Sequence, residues 1–196
     1  MRSALKTVAH VVATIVISPA LASFCVKRWV IGGDRALAGS TQALAMLPGL
    51  LGVYLRGAFL AVVLAHFDRS ASVHFGTIFS QTGARIGANV YVGPHCHLGL
   101  VDIDRDVLLA SGVHVPSGAD THGTEDLARP IREQPGRLTT VRIGEGTWVG
   151  SAAVVLADVG RHSIVAAGAV VAAPLGDFVV AGGVPARVLR DRRAPS

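Results

Sequence analysis

The segment Ile143-Gly144-Glu145-Gly146-Thr147-Trp148-Val149-Gly150-Ser151-Ala152-Ala153-Val154-Val155 decides the fold of this chain. Aliphatic residues recur in it at every sixth position, at Ile143, Val149 and Val155, and glycine follows the first two. A period of six fits neither an α-helix nor a simple alternating strand, which would carry apolar residues at every second position without regular glycines. The segment therefore predicts short strands separated by sharp corners, where a glycine lets the backbone turn tightly.

The same period runs through the second half of the chain, which makes it a repeat rather than a single motif. The other in-phase aliphatic residues are Ile86, Val92, Leu98, Ile103, Leu109, Val115, Val159, Val165 and Val171. Glycine or alanine often follows, at Gly87, Gly93, Gly99, Ala110, Gly144, Gly150, Gly160, Ala166 and Ala172. A small or β-branched residue lies four positions after the aliphatic one, at Val90, Cys96, Val107, Val113, Thr147, Ala153, Ser163 and Ala169. Three such sides close a triangular coil with the aliphatic residues stacked inside, so the pattern predicts an all-β solenoid.

Residues 1–70 follow a different pattern and are predicted to form a hydrophobic, membrane-associated helical arm. The stretch Val8–Val26 runs for about 19 residues without a charge, which is roughly the length that spans a bilayer. A second apolar stretch, Ala43–Phe67, is interrupted by Pro48 and suits a broken or interfacial helix better. The first stretch also resembles a secretory signal with a cleavage site before Ser23, so spanning, surface binding and cleavage all stay open.

The composition limits the possible partners of the chain. Its 196 residues suit one domain with a short appendage, and 51% of them are hydrophobic against 16% charged, which indicates contact with lipid. The net charge of +5 suits an anionic membrane, a phosphorylated cofactor or a nucleic acid. Aromatic residues make up only 5%, too few for base-stacking platforms, so no nucleic-acid partner is expected. Two cysteines, Cys25 and Cys96, are too few for a disulfide framework and favour a reducing compartment.

Three motifs give the chain a resemblance to a known family. They are Ile143–Gly150, Ala166–Val171 and the closing Gly182-Gly183-Val184-Pro185-Ala186-Arg187-Val188-Leu189-Arg190. These motifs resemble those of the hexapeptide-repeat acyltransferases, in particular the O-acetyltransferases of polysaccharide biosynthesis. The resemblance implies a left-handed parallel β-helix over residues 71–190, followed by a tail at 191–196. It further implies a homotrimer that uses acetyl-CoA as acyl donor and a sugar or polysaccharide hydroxyl as acceptor.

The repeat is interrupted by an excursion loop at residues 116–142, and such interruptions commonly carry function. His122 stands at the place of the family's catalytic loop, and acyl transfer to a hydroxyl needs a base that titrates near neutral pH. His122 is therefore the predicted base, with His114 as second choice. The carboxylates that could orient the imidazole are Asp120, Glu125 and Asp126, and the sequence does not choose among them.

The resemblance also assigns a donor site. Its residues would be Trp148, Gly150, Ala167, Gly168, Pro185, Arg187 and Arg190. The arginines, with Arg161 as a further candidate, could form charge-assisted bonds to the phosphates of coenzyme A. The chain departs from the family at Ala166 and Ala169, where Gly and Ser are common. The repeat phase also slips by one residue between Leu98 and Ile103, and the segment 155–159 is two residues short.

Several other functions compete with this interpretation. His95, Cys96 and His97 suggest zinc, but no further ligand pair follows at zinc-site spacing, so no metal is expected. A γ-class carbonic anhydrase shares the coil but needs three closely spaced zinc histidines. The remaining alternatives are a membrane-tethered structural solenoid and a serine, amine or xenobiotic acetyltransferase of the same fold. Because coenzyme A is cytosolic, the resemblance places the coil at the cytoplasmic face of a membrane.

Overall fold

The structure is a computed structural model that describes residues 11–194 of the chain. Residues 11–16 are helical, and three helices follow: α1 (Ser18–Ile31), α2 (Gly33–Ala45) and α3 (Gly49–Val63). Pro19 lies in the first turn of α1, where its fixed φ suits a helix start. Gly32 separates α1 from α2 with a φ of +87°, a conformation that glycine adopts without strain.

Within residues 11–194, sixteen short strands form a parallel β-solenoid of about six turns with three faces. Face 1 contains β1 (His66–Phe67), β4 (Arg85–Ile86), β7 (Val101–Ile103) and β10 (Val141–Ile143). Face 2 contains β2 (Ser72–Val73), β5 (Tyr91–Val92), β8 (Leu108–Leu109), β11 (Trp148–Val149), β13 (Ile164–Val165), β15 (Val179–Gly182) and β16 (Arg187–Asp191). Face 3 contains β3 (Ile78–Phe79), β6 (His97–Leu98), β9 (His114–Val115), β12 (Val154–Val155) and β14 (Val170–Val171). Among the described strands, the pairings are parallel except that of β15 with β16.

The interior of the solenoid consists of the residues that the period of six selects. Each of the twelve in-phase aliphatic residues is at most 2% exposed, and each of the eight small or β-branched residues named above is at most 1% exposed. The corners need small residues because successive turns lie close together: a Cβ at Gly150 would come within 2.5 Å of the Ala167 nitrogen. The predicted β-solenoid is confirmed.

The slip of the repeat after Leu98 and the short segment 155–159 do not interrupt the stacking of aliphatic residues in the interior. After Leu98 the chain reaches face 1 at Val101, which is fully buried and pairs with Val141. Val159, at the end of the short segment, forms isolated parallel bridges to Ile143 and Leu175 and is 2% exposed. The shortened connections therefore still deliver an apolar side chain to the interior.

The helices pack against the first turn of the solenoid, with α3 against β1 and β2 and α2 against β3. Arg56 of α3 is only 2% exposed and joins these elements through backbone carbonyls. Its Nε donates to the oxygen of Val73 at 3.0 Å, and its Nη1 donates to those of Leu44 at 3.1 Å and Leu47 at 2.7 Å. Burial lowers the pKa of the Arg56 guanidinium.

Among residues 11–194, none of the helices combines the length and the apolar character needed to cross a membrane. The uncharged stretch Val8–Val26 is divided by a turn at Ile17, and its residues 8–10 lie outside the described part of the chain. The interruption that the sequence suggested for Ala43–Phe67 is present: α2 ends at Ala45 and α3 begins at Gly49.

Candidate functional site

The excursion loop leaves the solenoid after Val115 on face 3 and returns at Val141 on face 1. Its two ends are held together by backbone hydrogen bonds. Thr139 donates its N–H to the oxygen of Ser117 at 2.8 Å, and Arg137 donates to that of Asp120 at 2.7 Å. The loop therefore stands on a paired stem at the edge between faces 3 and 1.

His122 lies on the outgoing side of the loop, just beyond this stem, and its side chain is exposed. The returning side runs against it, since a Cβ at Gly136 would lie 2.6 Å from the His122 nitrogen. A Cβ at Gly123 would similarly lie 2.6 Å from the oxygen of Pro135. The His122 imidazole forms no side-chain hydrogen bond or ion pair with residues 11–194. Its backbone is thus fixed while its ring nitrogens stay open to a substrate.

Gln134 organises the outer part of the loop, a role that the sequence did not indicate. Its side chain is 8% exposed, and its Oε1 accepts the N–H of Asp126 at 3.0 Å. Its Nε2 donates to the oxygens of Asp126 at 2.7 Å and Arg129 at 2.9 Å. The Asp126 carboxylate accepts the N–H of Ala128 at 2.9 Å. Of the three candidate orienting carboxylates, that of Asp126 is therefore engaged within its own turn.

His114, the second candidate base, projects from face 3 immediately before the loop and is exposed. Its ring meets that of His97, one turn below, edge to face with centroids 5.0 Å apart. Burial lowers the pKa of His97, and the positive charge of His114 lowers it further. The two rings thus form a paired column that favours the neutral form of His97.

Four of the predicted donor-site residues lie together at the edge between faces 2 and 3. Gly150 and Ala167 are stacked on successive turns there, and Gly168 occupies the left-handed region with a φ of +68°. The N–H of Gly168 donates to the oxygen of Ser151 at 2.8 Å. Trp148 projects outward from face 2 two residues before this corner and is 50% exposed. At this edge Ala167, Gly168 and the Trp148 side chain are exposed, whereas Gly150 is buried.

The closing segment lies above the same edge. Val170 of β14 donates its N–H to the oxygen of Gly183 at 3.0 Å and accepts the N–H of Ala186 at 2.8 Å. Pro185, between these two contacts, is exposed. Arg187 and Arg190 follow in β16, and the side chains of both are exposed. The structure therefore brings Pro185 and the start of β16 next to the corner that holds Gly168.

Arg161 lies elsewhere and is occupied. It forms an ion pair with Asp177, with Nε and Oδ2 3.0 Å apart, and its guanidinium lies 5.5 Å from the ring centroid of Phe178. Arg193 lies over the same ring at 5.1 Å. Arg161, the further candidate for binding the phosphates, is therefore already engaged by Asp177 and Phe178.

One chain does not bring the predicted base and the donor residues together. The loop with His122 stands at the edge between faces 3 and 1, whereas Gly150 and Gly168 lie at the edge between faces 2 and 3. In the described part of the chain, no three His, Cys, Asp or Glu side chains are grouped so that they could hold a metal ion.

Comparison with known proteins identifies an acetyltransferase homologue. No protein-family profile matches the chain. A protein of Mycobacterium tuberculosis named a probable acetyltransferase is 30% identical over an alignment of 139 residues, and the match covers 66% of this chain and 46% of that protein. The chain thus spans less than half the length of this relative.

Solved structures share the fold. A maltose O-acetyltransferase from Clostridium difficile superposes with a TM-score of 0.69 at 17% identity, covering 82% of this chain and 87% of that one. A galactoside acetyltransferase in complex with coenzyme A gives 0.65 at 22% identity, covering 82% and 81%. AntD, an N-acyltransferase from Bacillus cereus in complex with dTDP and 3-hydroxybutyryl-CoA, gives 0.54 at 14% identity, covering 72% and 90%. The predicted resemblance to hexapeptide-repeat acyltransferases is confirmed.

Proposed function

We propose that this protein is an O-acyltransferase that moves an acetyl group from acetyl-CoA to a hydroxyl of a sugar or polysaccharide precursor. The observation that carries the proposal is the excursion loop, which fixes the backbone of an exposed His122 on a solenoid with the fold of solved acetyltransferases. A purely structural solenoid would need neither the paired stem nor an accessible imidazole at that place.

His122 is the general base of the proposed reaction. Its neutral imidazole removes the proton from the acceptor hydroxyl as the oxygen attacks the thioester carbonyl carbon. The new ester C–O bond forms, the C–S bond breaks, and the imidazolium returns its proton to the departing thiolate of coenzyme A. Imidazole suits both steps because it exchanges protons near neutral pH. The carboxylates of Asp120 and Glu125 have no hydrogen bond or ion pair with residues 11–194 and are available to orient it.

The donor would lie along the edge between faces 2 and 3. Ala167 and Gly168 are exposed there, whereas Gly150 is buried and its N–H donates to the oxygen of Val165. A thin pantetheine chain needs backbone hydrogen bonds more than side chains. Ala166 and Ala169 supply no hydroxyl, so contacts to the peptide groups would hold the donor. Arg187 and Arg190 have exposed guanidinium groups that could bind the phosphates.

We further propose that the active unit is a homotrimer. The base and the donor residues of one chain lie on different edges of the triangular prism. A neighbouring copy packed side by side could place its loop against the donor edge of the first. This arrangement would complete the site with the residues that a single chain keeps apart.

The choice of a sugar acceptor is supported by two structural neighbours, which are acetyltransferases for maltose and for a galactoside. AntD, which has the same fold, is an N-acyltransferase, so an amine acceptor is the alternative that the assay must distinguish. The reaction would take place on the cytoplasmic side of the membrane, where coenzyme A thioesters are available.

The test is to incubate the purified protein with acetyl-CoA and a panel of maltose, galactosides, amino sugars and polysaccharide fragments. Release of free coenzyme A thiol together with an acetyl mass shift on a hydroxyl-bearing acceptor is the expected result. Transfer only to amino sugars would replace the O-acyl proposal by an N-acyl one. Failure to bind acetyl-CoA at all would favour the non-catalytic solenoid.

A further inference from the structure

The first helical segment, residues 11–31, is apolar on two opposite sides, and only one of them is covered. Ala13, Ile17 and Phe24 point toward the protein and are 5%, 4% and 3% exposed. At 100° per residue, Ile15, Val26 and Trp29 lie on the opposite side, where they are 67%, 65% and 90% exposed. A helix that is apolar all round is normally buried on all sides, so the outer side calls for a covering surface.

The length of α1 limits what that surface can be. With 14 residues, α1 is about 21 Å long, shorter than the hydrocarbon core of a bilayer. None of the helices within residues 11–194 is both long and apolar enough to cross a membrane. The exposed apolar side is therefore suited to lying in the plane of an interface rather than crossing it.

The charged residues near the exposed apolar side indicate which kind of surface would cover it. Within residues 1–67 the sequence contains a single acidic residue, Asp34, against several lysines and arginines. The Asp34 carboxylate accepts hydrogen bonds from the N–H and the hydroxyl of Thr82, both at 2.8 Å, which ties it to the solenoid. Arg28 and Arg35 are exposed on α1 and α2. The local excess of positive charge is complementary to anionic phospholipid headgroups.

Trp29 adds a second property typical of an interfacial helix. It is 90% exposed although its indole is large and mostly apolar. Tryptophan concentrates at the membrane–water boundary, because its ring enters the apolar region while its N–H stays at the headgroup level. Arg28, its direct neighbour in sequence, lies about 100° further round the helix and outside the apolar side, from where its long side chain can extend to the phosphates.

We infer that the helical segment of residues 11–31 lies flat on an anionic phospholipid surface, with Ile15, Val26 and Trp29 inserted below the headgroups and the exposed Arg28 and Arg35 at the phosphates. This binding goes beyond the transfer reaction and does not depend on it. It would hold the solenoid, which packs on the other side of the helices, beside the membrane. A soluble donor and a membrane-bound acceptor could then meet at the solenoid.

Vesicle binding of the full chain tests the inference. Trp29 and Trp148 are the two tryptophans, so a Trp148→Phe background leaves Trp29 as the sole reporter. Vesicles of phosphatidylcholine with phosphatidylglycerol should shift the Trp29 emission to the blue and expose it to quenching by brominated acyl chains. Pure phosphatidylcholine vesicles should bind less, and added salt should weaken binding to the anionic ones.

Val26→Glu should lower the affinity for anionic vesicles by about 10-fold or more, since it places a charge among the inserted side chains. Leu189→Glu is the matched control, because Leu189 of β16 is 66% exposed against 65% for Val26. Equal loss in both variants, or no vesicle binding by the parent protein, would overturn the inference. So would a change of oligomeric size in Val26→Glu without vesicles, which would assign the apolar side to contact between copies.

Discussion

The backbone of Gly136 lies against that of His122, so closely that a Cβ at position 136 would come within 2.6 Å of the His122 nitrogen and 2.1 Å of the Thr121 oxygen. No side-chain adjustment can relieve an overlap between two backbones. The position of the proposed base is therefore set by a glycine fourteen residues further along the chain.

Gly136→Ala should consequently displace the outgoing side of the loop and lower turnover by about 10²-fold, the usual effect of misplacing a catalytic group by about 1 Å. The melting temperature should change little, because the loop lies outside the stacked interior. Gly176→Ala is the control, since a Cβ there meets nothing within 4 Å. Unchanged turnover in Gly136→Ala would show that the loop position does not matter for activity.

Replacing His122 by Ala should lower turnover by about 10² to 10⁴, the usual contribution of a positioned general base. Fold and trimer should persist, because the exposed side chain leaves no cavity. Binding of coenzyme A, measured by calorimetry, should also change little. If His114→Ala abolishes activity while His122→Ala is nearly silent, the base has been assigned to the wrong histidine.

Light scattering of the purified protein should give the mass of three chains. The expectation follows from the separation of His122 and Gly168 on different edges of one chain. Mixing His122→Ala subunits with a variant damaged at the donor edge should restore part of the activity in mixed trimers. A stable monomer with full activity would contradict the shared site.

Arg56→Met should destabilise the protein, because it leaves the buried carbonyls of Val73, Leu44 and Leu47 without their charged donor. Each unpaired buried group costs about 1–3 kcal/mol, so a loss of about 3 kcal/mol and a melting temperature lower by about 6–12 °C are expected. Arg35→Met, at an exposed position, should have little effect. Equal melting temperatures for both variants would argue against the role assigned to Arg56.

Stability should fall as the pH drops below about 6.5, the ordinary pKa of histidine. Burial and the charge of His114 lower the pKa of His97 in the folded state, and burial and the charge of Arg56 lower that of His74. The unfolded chain then binds more protons in this window, so acidification favours unfolding. Thermal melts between pH 7.5 and 5 should show the loss, and His97→Gln should reduce it. A melting temperature that rises over this range would contradict the assignment.

The repeat could be predicted because each interior position is fixed by a local rule: an aliphatic residue, a small corner residue and a spacing of six. The strand β1 (His66–Phe67) lies before the predicted start of the solenoid at residue 71, because the buried Phe67 is followed by Asp68 and not by the glycine or alanine that marks most later corners. The burial of Arg56 could not be foreseen either. Its acceptors lie at the end of α2 and on β2, which only the packing of helices on the solenoid brings together.

The residues of the candidate site could be predicted from the sequence, but their arrangement in space could not. The interruption of the period marked the loop with His122, and the corner motifs marked Gly150 and Gly168. These groups are separated on two edges because of the faces that their strands occupy. The period of six alone does not assign a strand to a face. The internal pairing of Gln134 had no sequence signal, because a buried amide in a loop looks like any other polar residue.

The reversal of β16 also determines where the solenoid stops. A terminal parallel turn presents unpaired N–H and C=O groups on which another molecule could continue the stack, as in a growing fibre. Here β16 runs antiparallel over β15, and residues 183–186 lie over β14, while the helices cover the opposite end. Arg187 and Arg190 add like charges along the outermost strand. Deleting residues 187–196 should therefore convert discrete particles into filaments, a change that electron microscopy would reveal.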